Sequence, residues 1–223
     1  MKKILLLAAF AFLTSFGYSQ TISYGIDAGL NITKIPFEEN AALASLSAFS
    51  IPVSNGYVSG FHVGVLMDIK FKSFSIQPGA LFTTKGGYLS TEEKSPETTS
   101  SFILKSKMIL NYIEVPVNVL YRIPVGKGNI FFGGGPYIGF GLSGRGEIEP
   151  NPAVQISGEP LKYDFGGNNL KSPDLGINAL IGYQLNSGPT ISAGYGHGFV
   201  NTLAIGTNGK NQGFSFSLAY FIK

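Results

Sequence analysis

Charged side chains that could do chemistry are scarce in this chain. Lys, Arg, Asp and Glu make up 13% of its 223 residues, about half of the roughly 25% usual for a globular domain. Glu114 falls mid-segment on the side of an alternating pattern that carries small and polar residues, and an ionised carboxylate there needs a partner. Arg122 shares that side, but eight residues of strand span roughly 26 Å. We therefore expect Lys85, or the hydroxyl group of Tyr112, to contact Glu114.

A second group of charged residues lies toward the segment ends that are joined by short turns. It consists of Asp27, Asp68, Lys70 and Arg122. We expect these four to close the inner mouth of a barrel or, alternatively, to form a solvated rim. All of these side chains would belong to one polar lumen network, which either stabilises the fold or provides a path for protons or solutes. The predicted network consists of Asp27, Asp68, Lys70, Lys85, Tyr112, Glu114, Asn118 and Arg122.

Residue patterns for catalysis or for metal and cofactor binding are missing from the sequence. The two histidines, His62 and His197, lack the carboxylate or cysteine spacing of a metal site, and the chain has no cysteine. No Gly-x-Ser-x-Gly motif marks a nucleophilic serine. The glycine-rich run 133–139 contains Pro136 and keeps alternating, which fits a strand better than a dinucleotide-binding turn. We expect no enzyme activity, no metal and no cofactor.

Eight segments that could position these side chains alternate between apolar and small or polar residues. In the first, every second residue from Ile22 to Ile32 is apolar. A period of two is that of a β-strand, whose successive side chains point to opposite faces. The predicted strands are Ile22–Thr33, Gly60–Phe71, Phe74–Thr83, Ile109–Arg122, Ile130–Ser143, Asp174–Leu185, Thr190–Phe199 and Phe214–Ile222.

Short and long connections between these segments also alternate. The short ones are Lys72–Ser73, Pro124–Gly128 and Asn186–Gly188, and the long ones are Lys34–Tyr57, Gly87–Lys105, Gly144–Pro173 and Val200–Gln212. Gly, Asn and Ser in the short connections are typical of hairpin turns. Within the first long connection, Ala41–Phe49 could form a short helix. All short turns would lie at one end of the sheet, which is the plan of outer-membrane barrels.

The face without apolar residues decides between a membrane barrel and a soluble exported barrel such as a lipocalin. That face consists mostly of Gly, Ser, Asn and Thr, whereas a solvated exterior would carry many Lys and Glu and little strand-weakening Gly. The narrow lumen of an eight-stranded barrel has room for such small residues. The sequence therefore predicts an all-β protein, an eight-stranded antiparallel up-and-down transmembrane β-barrel. A soluble lipocalin-like binding barrel is the alternative.

The first residues have the features of a secretory signal peptide. A cationic start precedes the apolar run Ile4–Leu13, and Gly17 and Ser19 fit the small-x-small pattern that signal peptidase recognises. We expect residues 1–19 to be cleaved and residues 20–223 to form the outer-membrane β-barrel domain. Two lysines leave with the leader, so the net charge falls from +3 to +1, which provides no basic surface for nucleic acid.

Two consecutive motifs resemble the PorT-like outer-membrane β-barrel domain family. They are Tyr112–Tyr121, with its Glu-x-Pro pattern, and Phe132–Gly139, with its Gly-Gly-Pro-Tyr pattern. The later stretches Asp174–Tyr183 and Tyr195–Asn201 fit the same family, so the resemblance covers essentially the whole mature chain. It implies an eight-stranded barrel in the outer membrane. It implies no activity, because most members have none assigned.

The expected role is structural or interaction-based, with long loops that contact something outside the cell. A small-solute channel is the alternative, because a glycine-rich lumen leaves room even though eight strands usually enclose packed side chains. We expect outer-membrane lipids, the barrel-assembly machinery during insertion, and an unidentified extracellular or envelope partner. The segments Glu92–Ser101 and Glu147–Lys171 are rich in charge and proline, so protease outside the cell should cut there.

Overall fold

The computed structural model describes residues 21–36, 53–94, 101–148, 161–166, 170–202 and 209–222. Within these ranges the chain forms ten β-strands. No helix in the described ranges is long and apolar enough to cross a membrane. The strands are β1 (Thr21–Lys34), β2 (Val53–Gly56), β3 (Val58–Phe71), β4 (Phe74–Lys94), β5 (Ser101–Val125), β6 (Gly128–Ile148), β7 (Leu161–Tyr163), β8 (Asp174–Leu185), β9 (Pro189–Gly198) and β10 (Gln212–Ile222).

Eight of these strands close into one antiparallel barrel. They follow one another around the wall in the order β1, β3, β4, β5, β6, β8, β9 and β10, and β10 pairs with β1 to close it. In that closing seam, Tyr24 lies opposite Ile222 and Lys34 lies opposite Gln212. Closure pairs both edges of every strand in the wall, as hydrocarbon surroundings require. The predicted eight-stranded antiparallel barrel and its eight segments are confirmed.

The orientation of the two faces is that of a membrane barrel. Ile26 and Leu218 on the outward face are each 68% exposed, whereas Asp27 and Glu114 on the inward face are 6% and 7% exposed. A soluble barrel would have the opposite arrangement, because water favours polar groups outside and apolar groups in the core. Lipid hydrocarbon is the environment that suits such an exterior.

Three short turns join the strands at one end, as the sequence predicts. Residues 72–73 join β3 to β4, residues 126–127 join β5 to β6, and residues 186–188 join β8 to β9. Gly126 and Gly188 have φ angles of 59° and 114°, in a region that glycine enters without steric cost. We expect this end to face the periplasm, because short turns do so in outer-membrane barrels.

The other end is more structured than the sequence predicts. The long loop predicted over Gly87–Lys105 is wrong in part, because Gly87–Lys94 pairs with Ser101–Met108 as an extension of β4 and β5. Glu92–Lys94 and Ser101 are therefore strand residues, and residues 95–100 lie outside the described ranges. Charged residues interrupt the apolar alternation here. Backbone pairing continues nevertheless, since a hairpin outside the membrane needs no apolar face toward lipid.

Two short strands widen this extension. β2 pairs with Tyr88–Thr91 of β4, and β7 pairs with Gly144–Gly146 of β6. The predicted loops Lys34–Tyr57 and Gly144–Pro173 thus contain strand residues at their ends. The helix expected at Ala41–Phe49 and the leader expected at residues 1–19 lie outside the described ranges.

A small apolar core lies at the mouth of the barrel beneath this extension. Its buried residues are Ile35, Leu110, Tyr112 and Leu170, and partly buried Met108 and Phe165 pack against them. The rings of Tyr112 and Phe165 meet edge to face, with centroids 5.2 Å apart. This core separates the outer end of the lumen from the extension above it.

Candidate functional site in the barrel lumen

The periplasmic end of the lumen holds a cluster centred on Arg122. Its guanidinium donates hydrogen bonds from Nη2 to Asp68 Oδ2 at 2.7 Å, from Nη1 to Gln184 Oε1 at 2.8 Å and from Nε to Ser75 Oγ at 3.0 Å. The ring of Phe131 lies 5.3 Å from the guanidinium carbon. These partners belong to β3, β8, β4 and β6, so one side chain of β5 joins four other strands. We call this group the inner cluster.

Lys70 completes the inner cluster. Its Nζ donates to Gln184 Oε1 at 3.1 Å and lies 3.5 Å from Asp68 Oδ2. The structure thus brings together Asp68, Lys70 and Arg122 at the short-turn end. Gln184 and Ser75 were not predicted as members of this cluster. Both lie close to a short turn at positions whose side chains point into the lumen, and this placement in the sequence could have indicated them.

Asp27 does not belong to the inner cluster, contrary to the prediction. The register of β1 places it opposite Gly64 and Ala219, four residues along β3 from Asp68. That separation is roughly 13 Å of strand. Counting from the segment end could not reveal it, because the level of a residue in a barrel depends on the stagger of neighbouring strands.

A histidine network occupies the middle of the lumen instead. His62 Nδ1 lies 2.8 Å from Asn31 Oδ1, and its Nε2 lies 2.8 Å from Ser217 Oγ and 3.4 Å from Asp27 Oδ2. A Cβ at position 29 would overlap the imidazole ring, so Gly29 makes room for it. All four polar side chains line the same cavity.

This network contains a serine, a histidine and an amide, the elements of a nucleophilic triad. Nε2 of His62, however, faces the carboxylate of Asp27 as well as Ser217. Asn31 Oδ1 lies beside Nδ1, and Asp27 Oδ2 and Ser217 Oγ lie beside Nε2, so the histidine links β1, β3 and β10. The amide of Asn31 is held by Thr83 Oγ1 at 2.9 Å, which fixes the network as a bridge between strands.

The outer part of the lumen holds a second charged cluster, centred on Lys85. Its ammonium group forms an ion pair with Glu114 and lies 3.4 Å from Asp174 Oδ2. The rings of Tyr137 and Tyr112 lie 4.2 and 5.7 Å from Nζ, within the range of cation–π attraction. Each of these side chains is largely buried. We call this group the outer cluster.

Asn211 joins the two tyrosines and Asp174 into the outer cluster. Its Nδ2 donates to Asp174 Oδ2 at 3.0 Å and to the Tyr112 hydroxyl at 3.1 Å, and the Tyr137 hydroxyl donates to Asp174 Oδ2 at 3.4 Å. The structure therefore places Lys85 beside Glu114, and the hydroxyl of Tyr112 on Asn211. Asp174, Tyr137 and Asn211 were not predicted as partners. Asn211 fell in a predicted loop, where no alternation reveals the face of a residue.

A cavity of about 130 Å³ lies between the two clusters. It is lined by Lys85 and Glu114 of the outer cluster and by Phe131 of the inner one. Such a volume accommodates several water molecules. The buried Oδ1 atoms of Asp27 and Asn118 border it and have no hydrogen-bond partner among the described residues.

The part of the lumen that the structure describes shows no arrangement for a metal ion. Among the described residues, no group of three or more His, Asp and Glu side chains is placed to hold one. His197 lies on β9 in the outward phase, with its ring 5.9 Å from that of Phe199. The charged groups of the lumen are instead joined to one another across the barrel.

Comparison with protein families agrees with this architecture. Residues 18–204 match the model of the outer membrane protein beta-barrel domain family. The chain belongs to this family. It is thus an outer-membrane β-barrel protein, and the matched range contains seven of the eight described barrel strands, all except β10. The match does not distinguish the PorT-like group from the rest of the family.

Three solved structures show similarity to this chain. Neisserial surface protein A (NspA) is 11% identical in sequence with a TM-score of 0.41, and the alignment covers 91% of this chain and 99% of the NspA chain. Ail, the attachment invasion locus protein of Yersinia pestis, is 11% identical with a TM-score of 0.41, covering 90% and 98%. OprG from Pseudomonas aeruginosa is 10% identical with a TM-score of 0.43, covering 91% and 97%. Comparison with curated proteins gives no sequence match.

Proposed function

We propose that this outer-membrane barrel has a structural or interaction role and does not conduct solutes along its axis. The observation that carries this proposal is that charged side chains cross the lumen at two levels and meet partners on other strands. Arg122 with Asp68 does so at the inner level, and Lys85 with Asp174 does so at the outer level. The cavity lies between these two levels.

An axial path would have to break both clusters. Removing one partner of a buried ion pair leaves an uncompensated charge, which costs about 3–5 kcal/mol in a dry interior. A permeating ion would have to replace these partners at each level. The apolar core around Leu110 and Leu170 adds a third obstacle at the outer mouth. A side-chain-filled interior is usual for barrels of eight strands.

The extension supplies the surface for an interaction role. Above the barrel, β2, β4, β5, β6 and β7 lie side by side, so the extension is a sheet and not only a set of loops. Exposed residues such as Ser54 and Lys162 face the surroundings there. The partner would be an extracellular or envelope molecule. The PorT-like resemblance of Tyr112–Tyr121 and Phe132–Gly139 is consistent with a role without enzyme activity.

A small-solute channel is the second candidate, and the cavity of about 130 Å³ is the observation in its favour. Planar-bilayer recording separates the two. We expect the wild-type barrel to show no steady unitary openings. In a control variant, Asp68, Lys85, Glu114 and Arg122 are all replaced by Ala, which removes the charged pairs of both clusters. This variant should show a measurable leak current, which demonstrates that the recording detects inserted barrels. Steady openings of the wild type would establish the channel instead.

Cross-linking on intact cells tests the interaction role. A variant in which a two-residue Asn-Gly turn replaces residues 88–107 keeps the barrel strands and removes the β4–β5 extension. A partner that is captured by the wild type should be lost from this variant. Capture at equal yield would exclude the extension as the contact surface.

A further inference from the structure

The backbone ladder of the barrel wall is interrupted between β3 and β4. Pairing runs to Leu66–Gly79, stops, and resumes at Ile69–Ile76. The missing pairs are those of Pro78 and its neighbour. Proline has no N–H group and cannot complete a ladder pair, which is why it is usually confined to edge strands and bulges.

Two further interruptions follow on the next strands. Between β4 and β5, the pairs of residues 79–80 with 115–116 are missing, and between β5 and β6, those of residues 117–118 with 135–136. Each interruption contains a proline, Pro116 in the first case and Pro136 in the second. Strand register is constant across all three, so the cause is the lost donor and not a slip.

The three interruptions form one continuous weak seam across four strands. Pro78 lies opposite Val117, and Pro116 lies opposite Tyr137, so each break adjoins the next. Each break spans two residue pairs, roughly 7 Å of strand. In hydrocarbon, backbone groups are normally all paired, so this seam is an exception to that rule.

An apolar groove lies on the lipid-facing surface beside this seam. It has a volume of about 590 Å³. Its walls come from β1, β3, β4 and β10 and include Tyr24, Val65, Met67, Pro78 and Ala80. Because this surface faces lipid, the molecule that covers it is a membrane hydrocarbon chain.

Leu66 lies between this groove and the cavity in the lumen, because it lines both. A Cβ at Gly79 would lie 2.6 Å from Leu66 Cδ2 and 3.4 Å from Pro116 Cγ. The Leu66 side chain therefore covers Gly79 beside Pro116, at the break itself. On the lumen side, Asn118 lies two residues after Pro116 along β5 and is 7% exposed, with Oδ1 unpartnered among the described residues.

We propose that this seam is a lateral binding site for a single-chain membrane amphiphile whose small head group carries hydroxyls. The acyl chain lies in the outer groove, and the head passes beside Leu66 into the lumen cavity. There a hydroxyl group donates a hydrogen bond to Asn118 Oδ1. This amide oxygen is an acceptor only, which favours a hydroxyl head over an anionic one. Monoacylglycerol has this chemistry.

The absence of tryptophan from the chain allows a direct fluorescence test. A single reporter is introduced at Tyr24→Trp, in the groove, or at Ile181→Trp, which is lipid-facing on β8 across the barrel. Full-length barrels in phosphatidylcholine liposomes are titrated with a monoacylglycerol that has a brominated chain. We expect the Tyr24→Trp reporter to be half quenched at a mole fraction about five- to tenfold lower than the Ile181→Trp reporter, a difference typical of one or two hydrogen bonds.

Two further variants in the Tyr24→Trp background test the route of the head group. Asn118→Leu removes the acceptor, and Pro78→Val with Pro116→Val restores ladder donors. Heat-modifiable migration in gel electrophoresis establishes that each variant is folded. Both should abolish the preference, as should a brominated methyl ester without hydroxyls. Equal quenching of the two reporters in the unaltered seam, or a preference that survives both variants, would overturn the proposal.

Discussion

Arg122 on β5 donates a hydrogen bond from Nη2 to Asp68 Oδ2 on β3 at 2.7 Å, although β4 lies between these strands. The bond therefore spans the inside of the barrel and does not follow the wall. Asp68 is fully buried, and its other cation, Lys70, is farther away at 3.5 Å. This pair fixes the relative positions of β3 and β5 near the short turns.

Arg122→Met should destabilise the barrel by about 3 kcal/mol, because Asp68 then keeps only the distant Lys70 as a cation partner in a buried site. Urea unfolding in liposomes measures this loss. The double variant Asp68→Leu with Arg122→Met should recover part of it, since no charge is then left without a partner. Additive losses would show that the two side chains act independently.

Lys85→Met should cost more than Glu114→Leu in the outer cluster. Lys85 faces two carboxylates, Glu114 and Asp174, so its removal leaves two negative charges together. Loss of Glu114 leaves the lysine with Asp174. Glu114→Gln should keep the fold with a smaller loss of stability. The double variant Glu114→Leu with Lys85→Met should recover only part of the lost stability, because the Asp174 carboxylate remains.

Unfolding midpoints of these variants and the wild type in urea decide the matter. The loss expected for Glu114→Leu is at most about 3–5 kcal/mol, and the water that the cavity admits reduces it. If Glu114→Leu costs as much as Lys85→Met, then Asp174 does not share the lysine.

Val117→Arg should block or strongly reduce assembly. Val117 is 40% exposed on the outward face, and an arginine at the midplane of a barrel costs about 2–4 kcal/mol. Its neighbour Asn118 faces inward and is buried, so Asn118→Ser should be mild. Folding yield into liposomes is the measurement, with Val117→Leu as the size control. Efficient insertion of Val117→Arg together with failure of Asn118→Ser would invert the assignment of the two faces.

Two exposed lysines offer a matched test of membrane topology. Lys162 lies on β7 in the extension, and Lys127 lies in the short turn between β5 and β6. The native chain has no cysteine, so Lys162→Cys and Lys127→Cys each create a single labelling site. A membrane-impermeant maleimide should label Lys162→Cys on intact cells, and Lys127→Cys only after the outer membrane is permeabilised. The opposite result would place the extension in the periplasm.

Protease added outside should likewise cut between Glu92 and Ser101 or between Glu147 and Lys171.

The sequence by itself determined the eight barrel strands and their orientation toward lipid, but not β2, β7 or the extension of β4 and β5. A barrel strand exposes one face to hydrocarbon and the other to a narrow lumen, so a period of two records both environments directly. The alternation of Ile22–Thr33 is an example, and β1 covers that segment with its apolar residues outside. The short turns followed from Gly, Asn and Ser because backbone geometry there is local.

Only the tertiary structure decided which side chains meet in the lumen. Lys85 meets Glu114 through adjacent strands, but it also meets Asp174, which is 89 residues away in the chain. Asp27 joined His62 and not Asp68, because strand stagger sets the level of each residue. The prolines of the seam were visible in the sequence. Their alignment across β4, β5 and β6 depends on register, which arises from pairing between strands and leaves no trace in the alternation of any single one.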